Sequence, residues 1–199
     1  MSIDVTVCVC RDLFPSARCL FMYRDVVAVA KSMHRASMVV PSLRLVALLA
    51  PISGRLSQII IDSIGFEGSD YCVHIHHDLV SGVLVFSVTA NWYLDLRRRG
   101  FDVSAVRYED LIARPLEMCR VVMDYCHLPV SLAEQAVKAF DVDSQRNSAL
   151  AKSVIGRFKA PQLTPQLKTN LNELLKKYGM PLIGETCVLE GTLSGLQQD

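Results

Sequence analysis

The chain has 199 residues, 21 Lys+Arg against 20 Asp+Glu, and 51% hydrophobic residues. That length suits one domain able to bury roughly 70% of the surface its unfolded form exposes. The near-neutral balance excludes a global field for recruiting nucleic acid, and the apolar content excludes a disordered chain, so any anion site must be local.

In chain order, Ile3, Val5, Val7 and Val9 alternate with polar or small residues, which predicts a half-exposed strand at the amino terminus. Ala17 to Tyr23 reads as apolar on both faces and predicts a strand of a parallel sheet covered on two sides. It runs directly into Arg24 and Asp25, a residue suited to cap a helix, after which Val26, Val29, Ala30 and Met33 recur at helical spacing. Ser37 to Gly65 is apolar but broken by Pro41, Pro51 and Gly54, predicting short helices with turns between them. The apolar run Leu79 to Leu94 is shorter than the ~20 residues of a membrane span and includes Asn91, so it reads as a core helix. Arg97, Arg98 and Arg99 in its last turn and Gly100 behind them suit the helix dipole and a left-handed cap.

Phe101 to Tyr108 predicts a second interior strand ending in Glu109-Asp110-Leu111, with a helix opening at Pro115. Ser131 and Glu134 have the spacing of a capping box. Asp141 to Lys152 is polar enough for a surface loop able to close over a ligand. Thr164-Pro165 opens and Gly179 closes a helix with Leu167, Leu171, Leu174, Leu175 and Tyr178 on one face. The seven cysteines are odd in number and scattered, which fits a reducing compartment and thiols buried as small apolar groups. Met1 to Arg11 has no pattern of a secretory signal, and the expected location is cytoplasmic, or the Golgi if the amino terminus is incomplete.

Two strand ends therefore carry the chemistry. An arginine at the carboxyl end of a buried strand, followed at once by a helix amino terminus, is suited to holding a phosphate. Ser32, two helical turns beyond Asp25, lies on the same helix face as that cap. The structural alternative for Arg24 is an ion pair with Asp25 or Glu109. Glu109-Asp110 reads equally as an acidic approach to a helix, and Tyr108 as an ordinary strand tyrosine. His74, His76 and His77, with Cys8 and Cys10 far upstream, match no zinc spacing, and no metal is expected. The absence of a GxxxxGK[ST] sequence weighs against a P-loop kinase relative.

Phe14-Pro15, the run FMYRD at Phe21 to Asp25, Ser32, YEDL at Tyr108 to Leu111 followed by Pro115, CHLP at Cys126 to Pro129 and Ser144-Gln145 occur in an order that resembles sulfotransferases using 3′-phosphoadenosine 5′-phosphosulfate. The resemblance covers roughly residues 14 to 180, with 1 to 13 divergent and 181 to 199 a tail of the same single domain. It implies an α/β fold of P-loop-like, three-layer type with a central, mainly parallel sheet, incomplete at its amino terminus. It also implies that Arg24 and Ser32 bind the 3′-phosphate of the donor and that Tyr108 lies near the adenine. The partners implied are that nucleotide and a small-molecule or carbohydrate acceptor bearing a hydroxyl or amine, with self-association or a protein partner as a further expectation.

The family's amino-terminal phosphosulfate loop, proline-lysine-serine-glycine-threonine-threonine-tryptophan, has no counterpart in these residues, nor does its catalytic histidine. Loss of a single preorganised charge-stabilising group typically slows an enzyme about 10²- to 10³-fold, so weak or absent sulfuryl transfer is expected of these residues alone. A non-catalytic nucleotide-binding or protein-interaction scaffold derived from that fold is the alternative.

Overall fold

The computed structural model describes residues 17–40, 78–142, 145–146, 148 and 150–195. The expected amino-terminal strand, the Pro-broken region from Pro41, the histidine cluster, Cys8 and Cys10, Phe14-Pro15 and Ser144 lie outside the described residues. Within them the chain is mixed α/β, built around a two-stranded parallel sheet.

Strand β1 (Cys19–Tyr23) pairs in parallel with β2 (Val103–Arg107), Cys19 opposite Val103 and Tyr23 opposite Arg107. Parallel pairing needs a long crossover. Its described helices are α1 (Val26–Val39) and α2 (Asp78–Arg98). On β1 the side chains alternate, so Phe21 and Tyr23 share a face. Phe21 stacks on Tyr23, with centroids 6.4 Å apart, and on Tyr93 of α2 at 4.7 Å. Tyr23, Val103 and Ala105 thereby join the main core with α1, α2 and α7 (Pro165–Lys177). Against the other face, Val106 packs with Leu111, Met118, Cys119 and Ala133, from α3 (Tyr108–Ala113), α4 (Pro115–Tyr125) and α5 (Ala133–Lys138). One further short helix, α6 (Lys152–Ile155), follows two single 3-10 turns at Val130–Leu132 and Ala139–Asp141.

The two-sided burial expected of β1 holds on one side only. Leu20 and Met22 are 37% and 59% exposed, because the α3 to α5 cluster centres on Val106 of β2. An apolar run fits an edge strand as well as a central one, and only neighbours decide between them. Helix α2 is the spine of the main core: Leu79, Val83, Leu84, Ala90 and Tyr93 are fully buried. Among the described residues it contains the one segment, Leu79–Arg98, long and apolar enough to cross a membrane, and 56% of that window is buried inside the fold. Asn91 satisfies its polar side chain on the Tyr178 carbonyl, 2.8 Å away at the end of α7.

Helix α1 lies on α2 so closely that a Cβ built on Gly82 stands 2.4 Å from the Cα of Ala30. Backbone contacts backbone there, and glycine is what permits it.

Three helix ends repeat one device. Gly100, with φ +80°, follows α2; its N–H reaches the Arg97 carbonyl and that of Phe101 reaches Leu96. Gly179, with φ +66°, ends α7 the same way through Lys176 and Leu175. This pair of bonds satisfies carbonyls that the helix leaves open, and it needs a left-handed residue at the turn. After α4 that residue is His127, with φ +56°, its N–H on Asp124 and that of Leu128 on Met123. His127 thus has the backbone that glycine adopts without strain.

Thr164 caps α7 by accepting from the Leu167 N–H at 3.3 Å, as its sequence predicts. The capping box at Ser131 does not form. Ser131 sits inside the 3-10 turn, α5 begins two residues later with Leu132 at its cap, and no side chain caps it. The tight turn after Pro129 places Ser131 already within helical backbone, where its hydroxyl cannot serve as a cap.

Residues 180–193 are structural. Ala105 donates to the Gly191 carbonyl at 2.9 Å and accepts from the Leu193 N–H at 2.8 Å, flanking the Ala105–Thr192 bridge that covers the second edge of β2. The Tyr23 hydroxyl lies 2.9 Å from Thr192 Oγ1 and accepts from the Leu189 N–H, while Tyr93 donates to the Glu190 carbonyl at 2.7 Å.

Gly82→Ala should lower stability by about 1–2 kcal/mol, with overpacking outweighing the gain of up to ~1 kcal/mol in helix propensity. A rise in unfolding midpoint in urea would contradict the close α1–α2 contact. His127→Gly should raise stability by about 0.5–1 kcal/mol, read from the same denaturation curves, by releasing left-handed strain.

Candidate functional site

Parallel strands bring like ends together, and the carboxyl ends of β1 and β2 form the candidate site. β1 is followed by Arg24 and Asp25, and α1 begins at Val26. The Asp25 carboxylate accepts from the Ala28 N–H at 2.9 Å, which fixes the start of α1. β2 ends at Arg107, which is the residue before α3, and Tyr108 is the first residue of that helix. Tyr108 is therefore not a strand residue as its sequence suggests. The chain turns helical there because Glu109 and Asp110 then occupy the first turn, where negative charge meets the positive helix end.

Arg24 and Tyr108, predicted separately, are in contact. The Arg24 guanidinium carbon stands 4.8 Å from the Tyr108 ring centroid, and Arg24 Nε stands 3.8 Å from Glu109 Oε1. The same Glu109 oxygen accepts from the Asp25 N–H at 3.0 Å, and its second oxygen lies 3.6 Å from Arg107 Nε. One carboxylate thus joins both strand ends. Of the two acidic partners weighed for Arg24, Glu109 takes the ion pair because Asp25 is committed to its cap.

Ser32 is half-buried on α1. Seven residues past Asp25, it returns to nearly the same helix face about 10 Å farther along the axis. The contacts of the Arg24 side chain are to Tyr108 and Glu109 in the first turn of α3. Further out, Arg107 faces Asp110 at 3.9 Å, and Arg114 faces Asp110 at 4.0 Å and Glu117 at 3.0 Å. The arginines of this edge are each met by carboxylates. With Arg24 46% exposed at its side chain, its pair with Glu109 contributes about 0.2–1 kcal/mol, and the ring contact about as much. An incoming dianion offers a charge-assisted bond of about 1.5–3 kcal/mol, enough to compete for the guanidinium.

Cys187 is buried within electrostatic reach of Arg107, Asp25 and Glu109. Burial pushes its thiol up from the usual range, opposed by Arg107 and reinforced by Asp25 and Glu109. Cys119, behind Val106, is also raised by burial. Two of the described thiols are thus the small buried groups their sequence suggests, while Cys19 is exposed on β1.

Sequence reasoning missed Arg107 and the segment around Cys187. Arg107 could have been found by aligning the two strand ends, since each pairs an arginine with an acidic helix start. The contribution of Cys187 has no local signal, because it depends on where a loop returns. Among the described residues, no group of three or more His, Cys, Asp or Glu side chains is placed to hold a metal. Of the Ser144-Gln145 pair, Gln145 accepts from Ser148 in a local turn.

Compared with protein-family models, curated proteins and solved structures, the chain matches none of them.

In the native protein a maleimide should label Cys19 at least about a hundredfold faster than Cys119 or Cys187, since the latter require local opening. Raising the pH toward 9 should leave Cys187 slow, because its raised value keeps it a thiol where an ordinary cysteine is half thiolate. Peptide mapping after timed labelling checks both; equal rates would show that residues 180–193 are not held against the core.

Proposed function

We propose that the chain is a sulfotransferase-like protein of P-loop-like, three-layer α/β type that binds the nucleotide end of 3′-phosphoadenosine 5′-phosphosulfate. The observation that carries this reading is the junction itself: Arg24 leaves the carboxyl end of a strand, precedes a capped helix and stacks on Tyr108 from the neighbouring strand end. In it Arg24 and Ser32 hold the 3′-phosphate and Tyr108 stands near the adenine. Helix α1 supplies the favourable end of its dipole. The part-exposed pair with Glu109 holds Arg24 weakly enough for a phosphate to share its guanidinium.

The acceptor, a small molecule or carbohydrate with a hydroxyl or amine, would receive the sulfuryl group in line with departure of the bisphosphate. That step depends on positioning and on stabilising charge at the leaving oxygens. Neither the phosphosulfate loop nor a base is recognisable in these 199 residues, so they are expected to transfer little sulfate alone.

One observation favours the alternative, a non-catalytic scaffold. Arg24, Arg107 and Arg114 are each met by a carboxylate, as in a site maintained for structure.

Adenosine 3′,5′-bisphosphate separates the two. At a hundredfold excess over Kd, binding adds about 2.7 kcal/mol and should raise the melting temperature by roughly 5–10 °C. Arg24→Ala should abolish most of that shift. No shift at millimolar ligand would sink the donor-site reading and leave a scaffold for other partners.

A further inference from the structure

Glu109 makes three contacts with one carboxylate. Oε1 accepts the Asp25 N–H at 3.0 Å and lies 3.8 Å from Arg24 Nε, while Oε2 lies 3.6 Å from Arg107 Nε. The first fixes the turn between β1 and α1. The second engages the Nε side of the Arg24 guanidinium and leaves its two Nη groups to form a fork, the geometry that matches two oxygens of a phosphate. The Tyr108 ring, its centroid 4.8 Å from the guanidinium carbon, gives that cation an aromatic neighbour. The third contact pairs the other carboxylate oxygen with Arg107 at the end of β2, so the charge of Glu109 is shared between the two strand ends.

We propose that Glu109 is the positioning residue of this site: from the first turn of α3 it orients Arg24 toward an incoming phosphate, while Tyr108 serves Arg24 as a platform. This rests on the donor-site reading above. It assigns Tyr108 a second contact besides the adenine, and it turns the pairing of Arg24 from a competitor of ligand binding into its preparation. An arginine on an exposed edge samples many rotamers, and ordering it beforehand removes that loss from binding. The negative charge of Glu109 opposes the ligand, so orientation must outweigh repulsion. That makes the sign of one substitution decisive.

Glu109→Gln keeps the shape and an oxygen able to accept the Asp25 N–H, but removes the charge that holds Arg24 and Arg107. Calorimetric titration of adenosine 3′,5′-bisphosphate into both proteins should show binding to the variant about tenfold weaker, as a misplaced binding group gives. The melting temperatures of the unliganded proteins should agree within about 2 °C, the scale of a weak, part-exposed ion pair. In the nitrogen-15 spectrum of unliganded protein, the Arg24 Nε–H resonance, identified by its loss in Arg24→Lys, should move in Glu109→Gln and in Tyr108→Leu but not in Tyr108→Phe.

If Glu109→Gln binds as tightly as the parent or more tightly, Glu109 competes with the ligand and the positioning role is wrong, while the donor site stands. An Nε–H resonance unmoved in Glu109→Gln overturns the role at its first step. No binding by the parent protein removes the donor site and the positioning role together.

Discussion

The register of β1 on β2 is the constraint from which the rest follows. With Tyr23 opposite Arg107, the residues after each strand, Arg24-Asp25 and Tyr108-Glu109, arrive at one edge although more than 80 positions separate them in the chain. A slip of one residue would turn Phe21 and Tyr23 away from Tyr93 and place Leu20 and Met22 in the aromatic stack. It would also separate Glu109 from the Asp25 N–H. Core packing and site geometry thus select the same pairing.

That register is held from both ends of the chain order. Helix α2 presents Tyr93 to the sheet, and the segment after α7 closes the second edge of β2 at Ala105. Arg97 ties the two: it donates to the Val103 carbonyl at 2.6 Å and pairs with Glu190 at 3.7 Å. Gly191, with φ +75°, adopts a backbone that strains other residues, and a Cβ there would stand 2.4 Å from that guanidinium and oblige it to shift. The arginines closing α2 therefore act beyond the dipole: one is a bracket between a helix, a strand and the carboxyl-terminal segment.

The candidate site that results is a cluster of paired charges at the carboxyl ends of the two strands. Its charges are mutual, and its central pair is part-exposed and weak. Such a pair adds little to stability, yet it restricts a long side chain at a place where a strand end, a helix amino terminus and an aromatic ring converge. The same contacts serve an inert scaffold and a prepared anion site, and the difference between them lies in how Arg24 responds to a ligand.

Much of this was legible from residues in order. Asp25 as a cap, the helix opening at Thr164-Pro165, the left-handed Gly100 and Gly179 and the core face of α7 are local. Each depends on backbone hydrogen bonds within one turn, and side-chain chemistry alone selects them. The joining of Arg24 to Tyr108 was only partly legible, since both were recognised at strand ends but their contact depends on pairing across the crossover. The exposed side of β1, the loss of a cap at Ser131 and the placement of Cys187 near Arg107, Asp25 and Glu109 were not legible. They depend on which neighbour arrives, on a turn one residue tighter than expected, and on a segment returning from the far end of the chain. The sequence by itself determined the helix ends at Asp25, Gly100, Thr164 and Gly179, because those rules act over four residues. Tertiary structure alone decided which charges meet at the sheet edge, because hydrogen bonds between distant segments exist only after the core has chosen its register.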